Sequence, residues 1–163
     1  NRLNNRRQGV IDVQQADTVV TAPLAELDAT DFAPFRALND LPMGMTAHIR
    51  FADLDDAPAT ASARIIALIR DRIGFDGLLM SDDITMNALA GSESDRAAAS
   101  IAAGCDLVLH CNRDVAQMEP VVAAAGPMTP LARRRADAAL ARRRAPRNLD
   151  RAALLAEWRA LTA

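Results

Sequence analysis

A short apolar run that ends in two adjacent carboxylates limits most strongly what this chain can fold into. Residues 77–81 read Gly-Leu-Leu-Met-Ser and lead directly into Asp82 and Asp83. A continuous apolar run of this length between helical patterns is typical of a strand buried in a parallel sheet. In such sheets, active groups lie at the carboxyl ends of the strands. The acidic pair is therefore a catalytic candidate, and the alternative is a solvated turn that caps the next helix.

Other apolar runs alternate with helical patterns along the chain. We predict strands over residues 43–49, 77–81 and 106–111, and helices over residues 25–38, 92–102 and a segment around Ile65–Ile69 that ends at Gly74. Strands that alternate with helices imply right-handed crossovers and a parallel sheet. Beyond Pro127 the chain is predicted to be helical to Ala145, with a final amphipathic helix after Pro146.

The composition excludes several classes of protein. Half of the 163 residues are apolar and a quarter are charged, as in an ordinary globular domain. No apolar stretch approaches the length of a membrane span, and residues 1–7 do not resemble a secretory signal, so we expect a cytoplasmic protein with no membrane partner. The chain contains no Lys, which argues against a P-loop or a Schiff-base enzyme.

Cysteine and arginine usage exclude two further kinds of site. The spacing of Cys105 and Cys111 matches neither a zinc ribbon nor a redox pair, so we expect reduced thiols. We expect no metal and no cofactor. The Arg runs at 133–135 and 142–144 lie on a helical pattern without interleaved aromatic residues. We interpret them as a solvated helix face and expect no nucleic-acid partner.

The acidic turn also carries a family resemblance. Residues 74–89, which read GFDGLLMSDDITMNAL, resemble the seventh-strand signature of family 3 glycoside hydrolases of the bacterial β-N-acetylhexosaminidase type. The similarity continues in colinear order over roughly residues 12–125, through segments 23–27, 32–38, 45–48, 58–60 and 103–112. In that signature the first Asp after the Ser is the nucleophile, which implies this role for Asp82.

The resemblance implies an α/β fold that is part of a (β/α)8 TIM barrel. Three predicted strands are too few for a complete barrel of about 250 residues. The resemblance implies that the chain corresponds to the second half of one. We expect a single partial-barrel domain over residues 1–163, with βα units over 20–125 and a C-terminal helical segment over 126–163.

The chain departs from the family at two motifs. The family's fifth-strand motif, a Lys-His pair followed by Pro-Gly-His-Gly, would fall on residues 1–7, which contain no Lys, His, Pro or Gly. The acid/base His of the family's Asp-x-His motif falls on Gln14, while the Asp is kept as Asp12. A glycosidase needs a group that protonates the leaving oxygen and later deprotonates water, and a carboxamide does neither. Asp12 is either a remaining catalytic acid or a loop aspartate.

The two histidines lie near the ends of predicted strands. His48 either binds the substrate at the same mouth as Asp82 or is a strand-end histidine satisfied by protein partners. We interpret His110 as a packing or supporting residue.

Two functions are compatible with these motifs. The resemblance implies a retaining β-N-acetylhexosaminidase that releases N-acetylglucosamine from cell-wall muropeptides during peptidoglycan recycling, with Asp82 forming the glycosyl-enzyme. The alternative is a non-catalytic partial-barrel module for binding or assembly, because the acid/base His is lost. Since an incomplete barrel exposes strand edges, we expect a homo-oligomer or a complementary barrel fragment as partner, and weak activity or none in the isolated chain.

Overall fold

Short parallel strands alternate with helices in the computed structural model, which describes residues 18–112, 114–146 and 148–162. The strands are β1 (Thr18–Val20), β2 (Met43–Met45), β3 (Ile49–Phe51), β4 (Leu78–Asp83) and β5 (Leu107–Leu109). The helices are α1 (Leu24–Ala29), α2 (Ala33–Ala37), α3 (Ala63–Asp71), α4 (Glu93–Ala103), α5 (Val115–Ala125), α6 (Pro130–Ala141) and α7 (Arg151–Thr162). The predicted α/β class with parallel strands is confirmed.

The strand that precedes the acidic pair is the central strand of its sheet. β4 pairs in parallel with β2 on one side and with β5 on the other, with Met80 opposite both Met45 and Leu107. β1 and β3 form a separate parallel pair. The predicted strand 43–49 is therefore two strands in different sheets, and His48 lies in the connection between them.

The predicted helix over residues 25–38 is also divided. α1 ends at Ala29, and α2 begins at Ala33 with Pro34 in its first turn. Because proline has no N–H and fixes φ, it is tolerated in the first turn of a helix and breaks a helix interior. Phe32 turns into the core between the two helices, where it is 8% exposed.

Side-chain caps set the ends of the helices that flank β4. Ser62 accepts a hydrogen bond from the Ile65 N–H at the start of α3, and Ser92 forms a capping box with Asp95 at the start of α4. α4 ends at Gly104, whose φ of 112° lies in the left-handed region. A Cβ there would lie 3.0 Å from Ile66 Cγ2, so glycine also allows α4 to approach α3.

Two apolar clusters enclose the helix-facing side of β4. The larger one holds Leu79, which is 2% exposed, against Ile65 and Ile66 of α3 and against Phe75. The smaller one joins Ile84, just after β4, to Ala97 of α4 and Val121 of α5. Together the clusters hold β4 between α3 and α4 and fix where the acidic pair emerges.

The C-terminal helices differ in how they meet the rest of the chain. α6 begins at a Thr129 cap and contributes Arg135, whose side chain is 11% exposed and binds Asp76 and Asp106. The expectation of a wholly solvated Arg run is therefore wrong at Arg135. Its guanidinium forms ion pairs with the carboxylates of Asp76 and Asp106, which lie just before β4 and β5. Every described residue of α7 is exposed. Over the described residues, the helices are too short or too polar to cross a membrane.

Candidate active site

β4 ends in a β-bulge at the acidic pair. Met80 pairs with Leu107 and Asp83 pairs with Leu109, so the interval between the pairs is three residues on β4 and two on β5. At the bulge, the Oγ of the fully buried Ser81 accepts the Leu109 N–H at 2.9 Å, so this N–H of β5 has a side-chain acceptor on β4. Bulges beside active sites redirect side chains. This one sets the direction in which Asp82 leaves the strand.

Asp82 is half-buried and has one carboxylate oxygen held by the backbone. Its Oδ1 accepts the Asp83 N–H at 2.8 Å. Within residues 18–112, 114–146 and 148–162, no hydrogen bond reaches its Oδ2. Among the described residues, Asp82 therefore has one carboxylate oxygen held by the backbone and one without a hydrogen-bond partner.

Asp83 is committed to holding the turn. Its Oδ1 accepts the Thr85 N–H at 3.0 Å and the Cys111 N–H at 3.1 Å, and its Oδ2 accepts the Thr85 hydroxyl at 2.7 Å. Burial opposes ionisation, but the hydrogen bonds from Thr85 and Cys111 outweigh it and lower the pKa of Asp83. Asp83 therefore ties the turn after β4 to the end of β5, and the two adjacent carboxylates have different surroundings.

His48 is buried beside this turn with protein partners on both ring nitrogens. Nδ1 lies 2.8 Å from Thr60 Oγ1, and Nε2 lies 2.9 Å from the Asp83 carbonyl oxygen. The residue is 5% exposed. Of the two interpretations left open by the sequence, this geometry favours a satisfied strand-end histidine, and direct contact with a substrate stays an untested prediction.

The remaining polar side chains around the turn connect it to α4 and β5. His110 Nε2 lies 2.9 Å from Glu93 Oε2 at the start of α4, in agreement with a supporting role. Arg96 donates to the Ile84 and Met86 carbonyls at 2.9 and 3.0 Å. Sequence reasoning missed the role of Arg96. Nothing in the sequence indicates that an arginine on a helix donates hydrogen bonds to carbonyl groups ten and twelve residues earlier in the chain.

Cys111 places a thiol close to both carboxylates. It is exposed and unpaired, and local desolvation together with the charges on Asp83 and Asp82 raises its pKa. Cys105 is also unpaired but buried, and burial raises the pKa of its thiol to about 11. Neither thiol is therefore activated as a nucleophile in these surroundings.

The proposed acid lies outside this geometry. Asp12 and Gln14, like the degenerate motif at residues 1–7, fall outside the described residues. In the part of the chain that is described, no group of three or more His, Cys, Asp or Glu side chains is arranged to hold a metal ion. The described site thus contains the candidate nucleophile and its supports.

Comparison with known proteins identifies the family. Residues 9–142 match the model of the glycosyl hydrolase family 3 N-terminal domain. A β-hexosaminidase of Bordetella parapertussis is 44% identical over 96 residues, which cover 56% of this chain and 27% of that protein. One from Tolumonas auensis is 43% identical over 95 residues, covering 53% of this chain and 28% of that protein. The chain therefore spans little more than a quarter of these curated relatives.

Solved structures agree with this match. A family 3 β-N-acetylglucosaminidase from Paenibacillus has a TM-score of 0.69 at 26% identity, covering 86% of this chain and 30% of that one. NagZ from Neisseria gonorrhoeae, in complex with N-trifluoroacetyl-D-glucosamine, has a TM-score of 0.66 at 33% identity, covering 76% of this chain and 36% of that one. Because the family model matches well over half of the chain, the chain belongs to glycosyl hydrolase family 3, within the N-terminal domain of that family.

Proposed function

We propose that the chain is part of a retaining β-N-acetylhexosaminidase with Asp82 as its nucleophile. The observation that carries the proposal is the contrast between the two carboxylates at the end of β4. Asp83 accepts three hydrogen bonds that hold the turn, whereas Asp82 accepts one and keeps Oδ2 open among the described residues. The names of the relatives, β-hexosaminidase and β-N-acetylglucosaminidase, support an N-acetylglucosaminide as substrate.

The chemistry assigned to Asp82 follows the retaining pathway. Oδ2 of Asp82 attacks the anomeric carbon of the sugar, the glycosidic C–O bond breaks, and a covalent glycosyl-enzyme forms as the leaving oxygen takes a proton. Water then attacks the same carbon, a base takes its proton, and the Asp82 carboxylate is released. Fixing Oδ1 beforehand reduces the conformational freedom that is lost on the way to the transition state.

The proton donor is the weak point of this pathway. Gln14 occupies the position of the family's acid/base His, so Asp12 is the remaining candidate for the proton transfers. We expect the isolated chain to be weak or inactive on substrates with poor leaving groups. The loss of the His is also the observation that favours the alternative function, a non-catalytic binding or assembly module.

The cellular setting belongs to the same proposal. Muropeptides are the proposed substrates, in peptidoglycan recycling, and the cytoplasm is the proposed location. Two unpaired cysteines support a reducing compartment. The proposal includes no cofactor and no nucleic-acid partner.

The proposed architecture is the second half of a (β/α)8 barrel. β2, β4 and β5 would be neighbouring barrel strands, and residues 20–125 and 126–163 would be the βα units and the C-terminal helical segment. Met43 and Met45 on the edge strand β2 are 46% and 53% exposed. These exposed apolar side chains on one face of β2 support a second copy or a complementary barrel fragment as the cover for this strand.

A leaving-group series tests the proposed function. Aryl β-N-acetylglucosaminides with increasingly basic leaving groups need increasing help from an acid, so turnover by the chain should fall steeply along the series. Gln14→His should flatten this dependence, with Gln15→His as the matched control that leaves it steep. Equal rates across the series for the unmodified chain would contradict the loss of the acid, and no turnover in any variant would favour the non-catalytic module.

A further inference from the structure

We infer that His48 is a positioning residue for Asp82 and acts through residue Asp83. This inference rests on the proposed function of Asp82. It deepens that proposal by assigning a role to a buried histidine that has no free ring nitrogen. His48 reaches across from the β2–β3 connection to the turn after β4, and its Nε2 lies 2.9 Å from the Asp83 carbonyl oxygen.

The partners of His48 fix its tautomer. A carbonyl oxygen only accepts hydrogen bonds, so Nε2 must carry the proton and donate it to Asp83. In the neutral ring, Nδ1 is then an acceptor, and the Thr60 hydroxyl at 2.8 Å donates to it. Thr60 has one hydroxyl proton, and its oxygen also lies 3.2 Å from the Ala47 carbonyl oxygen. The shorter contact with Nδ1 takes that proton, so the contact between Thr46 Oγ1 and Thr60 Oγ1 at 2.8 Å is donated by Thr46. The result is a directed chain from Thr46 through Thr60 and His48 to the Asp83 carbonyl.

This chain of hydrogen bonds is well shielded from water. Thr46 and His48 are each 5% exposed and Thr60 is fully buried. The Asp83 carbonyl oxygen also accepts the Met86 N–H at 3.1 Å, so the His48 contact satisfies its second lone pair, which would have no donor in this shielded position if His48 were lost. Because all three donors come from residues 46–60, the position of the turn after β4 depends on the β2 side of the sheet.

Residue 83 is thereby held by four residues. His48 and Met86 bind its carbonyl oxygen, while Thr85 and Cys111 bind its carboxylate. The backbone N–H of this fixed residue points at Asp82 Oδ1 from 2.8 Å. The network therefore sets the rotamer of Asp82 and leaves Oδ2 as the attacking oxygen.

Two substitutions at His48 separate the effect of its Nε2–H donor from the effect of its side-chain volume. His48→Gln keeps an amide N–H near the position of Nε2, and His48→Leu fills a similar space without a donor. By amide exchange in NMR, we expect the Asp83 N–H to exchange at least tenfold faster in His48→Leu than in the unmodified chain, and His48→Gln to restore most of the protection. Equal exchange in all three proteins would overturn the inference. This readout does not depend on activity.

A second pair of variants keeps the test decisive if His48→Leu fails to fold. Thr60→Val removes the hydroxyl that donates to Nδ1, whereas Thr60→Ser retains it. The ¹⁵N shifts of His48 at pH 8 should show an Nε2–H tautomer in the unmodified chain and in Thr60→Ser, with faster Asp83 exchange in Thr60→Val. An Nδ1–H tautomer in the unmodified chain would overturn the inference.

The catalytic consequence is read from covalent labelling. With a fluorinated N-acetylglucosamine analogue, His48→Leu should lower the labelling rate constant of Asp82 at least tenfold at an unchanged half-saturating concentration, and His48→Gln should recover most of the rate. A merely structural role would not give this split with rescue, and an unchanged rate constant in His48→Leu would overturn the positioning role. A well-folded chain that takes no label at Asp82 contradicts the proposed function, while the exchange comparison still decides the inference.

Discussion

The guanidinium of Arg70 lies 2.7 Å from the carboxylate of Asp106, and these side chains are 15% and 6% exposed. The other carboxylate oxygen of Asp106 accepts from Arg135 of α6 at 3.1 Å, and the Leu79 N–H lies 2.9 Å from Asp106 Oδ2. One buried carboxylate at the start of β5 therefore joins α3, β4 and α6.

Asp106→Asn should destabilise the protein strongly. Removing one partner of a buried ionic network leaves the other charges uncompensated, which costs about 3–5 kcal/mol. Urea unfolding followed by circular dichroism measures the change. Asp71→Asn, at an exposed position of α3, is the control and should change stability by no more than about 0.5 kcal/mol. Equal stability of the two variants would contradict the structural role of Asp106.

Asp83→Asn should destabilise the protein in a pH-dependent way. The pKa of Asp83 is lowered in the folded state, so the charged carboxylate contributes stability above the ordinary aspartate pKa of about 3.9 and loses it as the pH falls through the folded value. We expect a difference of about 1–2 kcal/mol from the unmodified chain at pH 7 that shrinks in acid. A difference that is constant from pH 7 to pH 3 would show that the charge on Asp83 is not its source.

Gly77→Ala should cost more stability than Gly44→Ala. A Cβ on Gly77 would lie 2.6 Å from the Leu41 carbonyl oxygen, which is backbone, and 2.6 Å from the Phe75 ring. A Cβ on Gly44 would meet only side chains, the nearest atom being Phe75 Cζ at 3.0 Å. Overpacking costs about 1–3 kcal/mol, and we expect Gly77→Ala at or above the top of that range. Thermal unfolding of the two variants compares them directly, and the reverse order would contradict the close approach at Gly77.

Met43 and Met45 provide a test of the proposed partner. Replacing both with Ser should reduce association of the purified chain and its binding of a hydrophobic dye, because their exposed apolar surface on β2 is removed. Light scattering across a dilution series measures the association. Leu154→Ser on α7 is the control, since α7 lies away from this edge in sequence and is exposed throughout. A monomeric unmodified chain that binds no dye would contradict the need for a cover.

Local patterns in the sequence predicted the elements around the acidic pair. The apolar run before Asp82 is β4, and the helix predicted over residues 92–102 is α4, because each of these patterns depends on neighbours within a few residues. The bulge between Met80 and Asp83 carries no such pattern, since it arises from the register with β5. The short strand β1 and the helix α5, which contains Pro120, also escaped prediction.

Long-range contacts account for what sequence reasoning missed at the site. The role of His48 follows from its hydrogen bonds with Thr60, twelve residues away, and with the Asp83 carbonyl oxygen, thirty-five residues away. Arg135 binds Asp76 and Asp106, which are fifty-nine and twenty-nine residues away in the sequence. The run of three arginines therefore does not indicate that one of them is buried. Such partners become visible only when the sheet brings distant segments together.

Covalent trapping tests the assignment of Asp82 most directly. The chain is incubated with a fluorinated N-acetylglucosamine analogue, and the tryptic peptide Ile73–Arg96 is fragmented by mass spectrometry to locate the added sugar. We expect the label on Asp82, its complete loss in Asp82→Asn, and slower labelling that is still on Asp82 in Asp83→Asn. A label that survives Asp82→Asn and disappears in Asp83→Asn would contradict the account, because the carboxylate that holds the turn would then be the one that reacts.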